Sequence, residues 1–216
     1  MLKVETFTFN AFSENTYVVY DETRECAIID PGCFSREEQK EISEFIESES
    51  LSVKYLLNTH CHVDHVLGNY YIKDKYKVPL IIHKGDEPVL KAVKVYAPLY
   101  GFEGYTEAEP DRFVNEGESL KFGNVTFKIL FLPGHAPGHI GFYNEEAKII
   151  LSGDVLFESS IGRTDLPGGN FETLIQSIQQ KLFLLPDEVI VYPGHGMPTT
   201  VGKEKVSNPF CALSLS

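Results

Sequence analysis

Alternating apolar and polar positions open the chain. Val4 to Phe9, Thr16 to Tyr20 and Cys26 to Ile29 are rich in β-branched and aromatic residues and are separated by polar turns, which predicts three strands. Pro31 and Gly32 end the third. Ser35 is followed three residues on by Glu38, and Ile42, Phe45 and Ile46 recur at helical spacing, which predicts a capped amphipathic helix over 35–49. Val53 to Leu57 is a short apolar run of the kind that fills a buried strand, and it leads directly into Asn58, Thr59 and a cluster of histidines. Val78 to Ile82 predicts another strand, Glu87 to Tyr96 a helix, and the acidic, Gly-containing stretch 101–118 an excursion loop.

The strand pattern resumes at Leu120 and continues through Val125 to Leu132, Ile140 to Tyr143 and Ile149 to Leu151, each closed by Gly, Pro or Asn. Phe171, Leu174, Ile175, Ile178 and Leu182 then mark a helix with Asn170 as its N-cap. Val189 to Tyr192 marks a last strand before Pro193, and a final helix follows Thr200, with Lys203 and Lys205 on a solvated face. Two strand-rich halves, each followed by helix and joined without a linker, predict one α/β domain over 1–216, a sandwich of two sheets with helices outside.

Composition narrows the partners. The 216 residues are 43% hydrophobic and 23% charged, in the range of soluble globular domains, and the formal net charge is -12. That balance argues against nucleic acid, whose phosphates need clustered Lys and Arg. It leaves an anionic small substrate open, because divalent cations can make a pocket locally positive. The opening MLKVETFTFN lacks the basic-then-apolar order of a secretory signal and no apolar run approaches a bilayer span, so a cytoplasmic location and no membrane partner are expected. Cys26, Cys33, Cys61 and Cys211 are too irregularly spaced for a disulfide framework or a zinc ribbon and are read as reduced thiols. Oligomeric state leaves no signature.

The candidate chemistry lies where strands end. Of seven histidines, five sit in short segments that each follow a predicted strand: His60, His62 and His65 after Leu57, His135 after Leu132, and His195 after Tyr192. His83 and His139 stand apart from them. Strand ends hold side chains on a rigid frame while leaving them open to a cleft, as metal ligands require. In THCHVDH, His60 and His62 can face one side of an extended turn and Asp64 and His65 a second position, with Cys61 and Val63 turned to the core. Four ligand-type residues in six positions, without paired thiolates, point to an open catalytic metal rather than a closed structural zinc.

The HxHxDH pattern at His60, His62, Asp64 and His65, followed in order by His135 in FLPGHAPGH, Asp154 in LSGDVLF and His195 in VYPGHG, resembles the metallo-β-lactamase superfamily over nearly the whole chain. The resemblance implies a four-layer αββα sandwich with mixed β-sheets and helices on the outer faces. It also implies two divalent metal ions, zinc first, with iron or manganese suited to the same donors. His60, His62 and His135 would hold one, Asp64, His65 and His195 the other, with Asp154 bridging, and Asp64 and Asp154 are the implied catalytic carboxylates. LSGDVLF, SSIGRTDLPGG at 159–169 and PGHGMPTTVGKEKVSNPF at 193–210 look most like the glyoxalase II-like hydroxyacylglutathione hydrolases, in a compact form without their C-terminal glutathione-binding helical domain.

That resemblance implies hydrolysis of a small-molecule thioester, S-2-hydroxyacylglutathione or a related one, to a hydroxy acid and a thiol. A hydroxide bridging the metals would attack the carbonyl carbon while one metal polarises the oxygen, and the thiolate would leave. Arg163 is the candidate for holding a substrate carboxylate, with a surface salt bridge as the alternative. His139 either supports a ligand by a hydrogen bond or packs in its turn. Cys61, turned inward, is a structural thiol. The main rival is a mononuclear-iron persulfide dioxygenase using His60, His135 and Asp154 alone, against which the retained PGHG at 193–196 and His139 both speak. A β-lactamase would be expected to place a thiolate where Asp154 stands, a tRNA-processing nuclease would need a basic arm, and a non-catalytic metal scaffold would show a crippled ligand set.

Overall fold

A computed structural model describes residues 1–213. The first three predicted strands are β1 (Lys3–Phe9), β2 (Glu14–Tyr20) and β3 (Glu25–Ile29), followed by helix α1 (Arg36–Ser48). Ser35 Oγ accepts the Glu38 amide at 3.1 Å and Glu38 Oε2 accepts the Ser35 amide at 2.8 Å, so the expected capping box forms and satisfies two otherwise orphaned donors. Strand β4 (Ser52–Leu57) carries the chain to the histidine cluster, where the structure departs from an extended turn. From Val63 to Val66 the backbone closes one helical turn, α2, and a further helix, α3 (Asn69–Tyr76), follows. Cys61 and Val63 do face the core, as expected.

Next come β5 (Leu80–Ile82), a 3-10 turn at Lys84–Asp86, and α4 over Glu87–Tyr96, as the periodicity predicts. The stretch 101–118 is not wholly an excursion, because Arg112–Phe113 forms a short strand, β6, parallel to β5. The second half supplies β7 (Ser119–Phe122), β8 (Val125–Phe131), β9 (Ile140–Asn144), β10 (Ile149–Gly153) and a small hairpin of β11 (Leu156–Phe157) and β12 (Ser160–Ile161). It ends with α5 (Phe171–Gln180), β13 (Ile190–Pro193), β14 (Thr199–Thr200) and α6 (Val201–Ser207). Leu182 lies just beyond α5 in a 3-10 turn, yet packs in the same core.

These strands make two six-stranded mixed sheets, ordered β1-β2-β3-β4-β5-β6 and β14-β13-β10-β9-β8-β7. Side-chain alternation explains the layering. Tyr17, Val19, Ala27, Ile29 and Leu57 from the first sheet meet Phe127, Ile129, Phe142 and Leu151 from the second in a shared inner core. Val18, Ile28, Leu56 and Ile82 point the other way, onto Ile42, Ile46, Ile72, Leu90 and Val93 of α1, α3 and α4. Ile150 and Val191 pack outward on Leu174 and Ile178 of α5. Three apolar seams between four layers are an αββα sandwich with its helices on the outer faces. Among the described residues no helix is long and apolar enough to cross a membrane.

The topology brings strand ends of both sheets to one edge. Parallel neighbours β3 and β4 deliver Asp30 and Thr59 together, and parallel neighbours β10 and β13 deliver Asp154 and His195. Two backbone bonds join the sheets there: Ile140 N–H to Thr59 O at 2.8 Å and Asn15 N–H to Gly194 O at 2.7 Å.

Candidate metal centre

At that shared edge the sequence-predicted residues converge into two trios. His60 Nε2 and His62 Nδ1 lie 3.2 and 2.9 Å from His135 Nε2. Beside them His195 Nε2 is 3.1 Å from Asp64 Oδ2, and His65 Nε2 is 3.5 Å from the same oxygen. Asp154 stands between the trios, with Oδ1 3.5 Å from His65 Nε2 and Oδ2 3.5 Å from His195 Nε2 and 3.6 Å from His135 Nε2. All seven side chains are buried except His195, which is part-exposed.

The donor set fits divalent cations. Ligands about 2.1 Å from a tetrahedral ion lie about 3.4 Å from each other, and the spacings here bracket that value. His65 Nε2 and Asp154 Oδ1 are buried and have no hydrogen-bond partner. An orphaned buried polar atom costs about 1–3 kcal/mol, so atoms left bare and aimed at one point mark a place built for an ion. Two local features keep the carboxylate in place. Gly153 (φ 52°) turns the end of β10 in the left-handed region, and Gly194 has no side chain because a Cβ there would collide with Asp154 Oδ1.

Hydrogen bonds behind the imidazoles fix which nitrogen faces the centre. His135 Nδ1 donates to Arg163 O at 2.7 Å, and His195 Nδ1 donates to Phe12 O and Ser13 O at 3.1 and 3.2 Å. His60 Nδ1 donates to Thr59 Oγ1 (3.1 Å), whose hydroxyl donates to Asp30 Oδ2 (2.6 Å). His65 Nδ1 donates to that same Asp30 oxygen at 3.3 Å. Asp30 is therefore one carboxylate behind both trios, and the Thr59 amide donates to its other oxygen at 2.7 Å. A second buried carboxylate, Glu14, lies 3.8 Å from His65 Nδ1, and burial holds it well above the usual carboxylate range.

His139 accepts the Asp154 amide at Nε2 (3.1 Å) and stacks on the His60 ring with centroids 4.6 Å apart, so it both supports a ligand and packs in its turn. The Arg163 guanidinium forks onto Asp165, at 2.7 and 2.8 Å, and is largely exposed. What Arg163 gives the centre is its backbone carbonyl, while its side chain makes the surface ion pair weighed as the alternative. Lys203 and Lys205 pair on the surface with Glu158 and Asp187.

The two trios differ electrically. Burial holds His62 down at about 3 and keeps His60 and His135 low as well, so all three are neutral at pH 7. Burial disfavours charge on His65 and His195 too, but the Asp64 and Asp154 carboxylates outweigh it, holding His65 well above the usual range and lifting His195 to about 10. The same imidazoles overcome burial to keep Asp64 and Asp154 ionised.

Sequence reasoning did not find Asp30, Thr59, Glu14 or Asp86. Asp86 accepts the Cys61 amide at 2.7 Å and the Gly138 amide at 2.5 Å, and burial raises its carboxyl to about 6 against the pull of those amides. The available signal was an acidic residue at the close of an apolar strand, as in IIDPG and in HKGD after Ile82.

Residues 10–195 match the family model described as the metallo-beta-lactamase superfamily. The chain is 42% identical to the hydroxyacylglutathione hydrolase GloC of Haemophilus influenzae, covering 97% of this chain and 98% of that one. Among solved structures it is similar to the B3 metallo-beta-lactamase BLEG-1, with a TM-score of 0.88 and 34% identity over 98% of this chain and 99% of that one. It is likewise similar to TTHA1623 in a di-iron-bound form, with a TM-score of 0.86 and 35% identity over 96% of this chain and 100% of that one. Fold, clustered donors and these likenesses agree, and the chain belongs to the metallo-beta-lactamase superfamily.

Proposed function

We infer that this chain is a two-metal hydrolase of the glyoxalase II type, cleaving S-2-hydroxyacylglutathione or a related thioester. The observation that carries the reading is the pair of trios sharing Asp154, with the near full-length likeness to GloC supplying the substrate class. His60, His62 and His135 would hold one divalent cation, Asp64, His65 and His195 the other, and Asp154 both. When bound, the cations supply Lewis acidity that activates water and polarises the acyl carbonyl.

The chain's own residues do the rest. Asp154, fixed by His139 at its amide and freed of a Cβ at Gly194, keeps the trios in register. Asp64, kept ionised, would give Oδ2 to the second cation, and the attacking water, acidified there, would lose its proton to solvent. The water oxygen joins the acyl carbon, the C–S bond breaks, and the thiol leaves as thiolate, so no general acid is required. A part-exposed His195 at the rim leaves an approach for the substrate.

Zinc, iron and manganese all suit these donors, and the di-iron form of TTHA1623 makes iron a specific candidate. The dioxygenase alternative would leave His62 idle, and with it the whole second trio of Asp64, His65 and His195. Their spacings suit an ion as well as those of the first trio do, which favours the hydrolase. A second reading, β-lactam hydrolysis, rests on the likeness to BLEG-1. The deciding experiment measures metal content and turnover of S-lactoylglutathione, a β-lactam and glutathione persulfide side by side. About two metals per chain with thioester turnover is expected. One iron per chain with persulfide-dependent oxygen uptake would overturn the proposal.

Metal loading should also release protons. At pH 7 the first trio is neutral, whereas His65 and His195, both raised, carry protons that a cation must displace. Net proton release on loading is expected, with the second trio contributing to it. Raised groups hold their protons until pH climbs through the raised value, so affinity at the second trio should increase from pH 7 toward about 10. Titration calorimetry in buffers of different ionisation enthalpy reads both quantities, and loading without proton release would contradict the assignment.

A further inference from the structure

The turn His83–Asp86 has no part in the ligand set, yet it is built against it. Its end, Asp86, is wholly buried and sends one carboxylate oxygen to each of two ligand loops. Oδ2 accepts the amide of Cys61, between His60 and His62, and Oδ1 accepts the amide of Gly138, just before His139 and three residues after His135. Neither amide belongs to a strand or helix, so no ladder satisfies it.

The turn itself is held rigidly. His83 stacks on Phe131 at the end of β8, with centroids 4.5 Å apart, and its Nδ1 accepts the Gly85 amide at 3.1 Å. Backbone meets backbone at the contact: a Cβ on Gly85 would lie 3.0 Å from Gly138 Cα, and one on Gly138 would lie 2.2 Å from Asp86 N. Gly138 therefore requires glycine for close approach rather than for its dihedral angles, and Gly85 is tightly enclosed.

The geometry points to Asp86 as a clamp that sets the separation of the His60–His62 loop from the His135 loop, and so preorganises the first metal trio before a cation arrives. This rests on the two-metal reading. It predicts a defect larger at the first trio, because Asp86 holds the backbone beside His60, His62 and His135, whereas the rear bonds of His65 and His195 go to Asp30, Phe12 and Ser13.

The test measures Co2+ affinity in two backgrounds, His195→Ala with Asp64→Ala, which leaves the first trio, and His60→Ala with His135→Ala, which leaves the second. Asp86→Asn, which keeps one acceptor and the side-chain shape, should weaken Co2+ binding roughly 10- to 100-fold in the first background and leave it within about threefold in the second. Equal weakening in both backgrounds, or none in either, would overturn the clamp. A chain with all seven ligands that binds no Co2+ would remove the metal reading itself, an outcome separate from loss of the clamp alone.

Discussion

Asp154→Ala is expected to lower turnover by on the order of 10³-fold or more while leaving the chain folded. Among the described residues Asp154 is the one carboxylate within 3.6 Å of imidazoles from both trios, so its loss removes a donor from each at once. The fold should survive because the side chain lies at the edge of the sandwich, outside all three apolar seams. Its backbone amide can still donate to His139. Circular dichroism and a thermal melt check the fold, and metal analysis should find fewer than two ions. Full activity in this variant would sink the shared-ligand assignment.

Gly194→Ala is expected to have the next largest effect, a loss of roughly 10- to 100-fold in metal affinity and activity. The added methyl would collide with Asp154 Oδ1 and come within 2.7 Å of His65 Cε1. Gly194 has no positive φ, so the cost is steric. Gly196→Ala is the informative contrast. Gly196 sits at φ 75° with nothing within 4 Å of a built Cβ, so alanine there strains the backbone without touching a ligand. It should cost about 1 kcal/mol of stability and spare metal binding. If both variants lost metal equally, loop strain rather than the Asp154 contact would be responsible.

What could be read from the sequence divides along physical lines. The long strands and α1, α4 and α5 were legible because each buries a regular stripe against an adjacent layer. Helix α3 was not, since among its apolar residues only Ile72 is fully buried and NYYIKDKY shows no stripe. β6 has two residues and depends on pairing with β5, which local pattern cannot encode. The imidazole cluster was visible because four donors lie side by side in the chain. Asp86 was not, because its partners lie 25 and 52 residues away and only the packed sandwich brings them to it. Arg163 shows the converse: its side chain suggested a carboxylate partner, and the structure supplies Asp165 two residues on while its carbonyl steadies His135.

Each trio draws on both halves of the chain: His60 and His62 meet His135, and Asp64 and His65 meet His195. A cation in either place is thus a rivet between the two sheets as well as a reagent. Ions that bind only the folded chain add stability in proportion to the logarithm of their concentration over their dissociation constant. Chelators in a preparation would then loosen the sandwich as well as silence its chemistry, and metal supply would govern how long the protein survives as well as how fast it works.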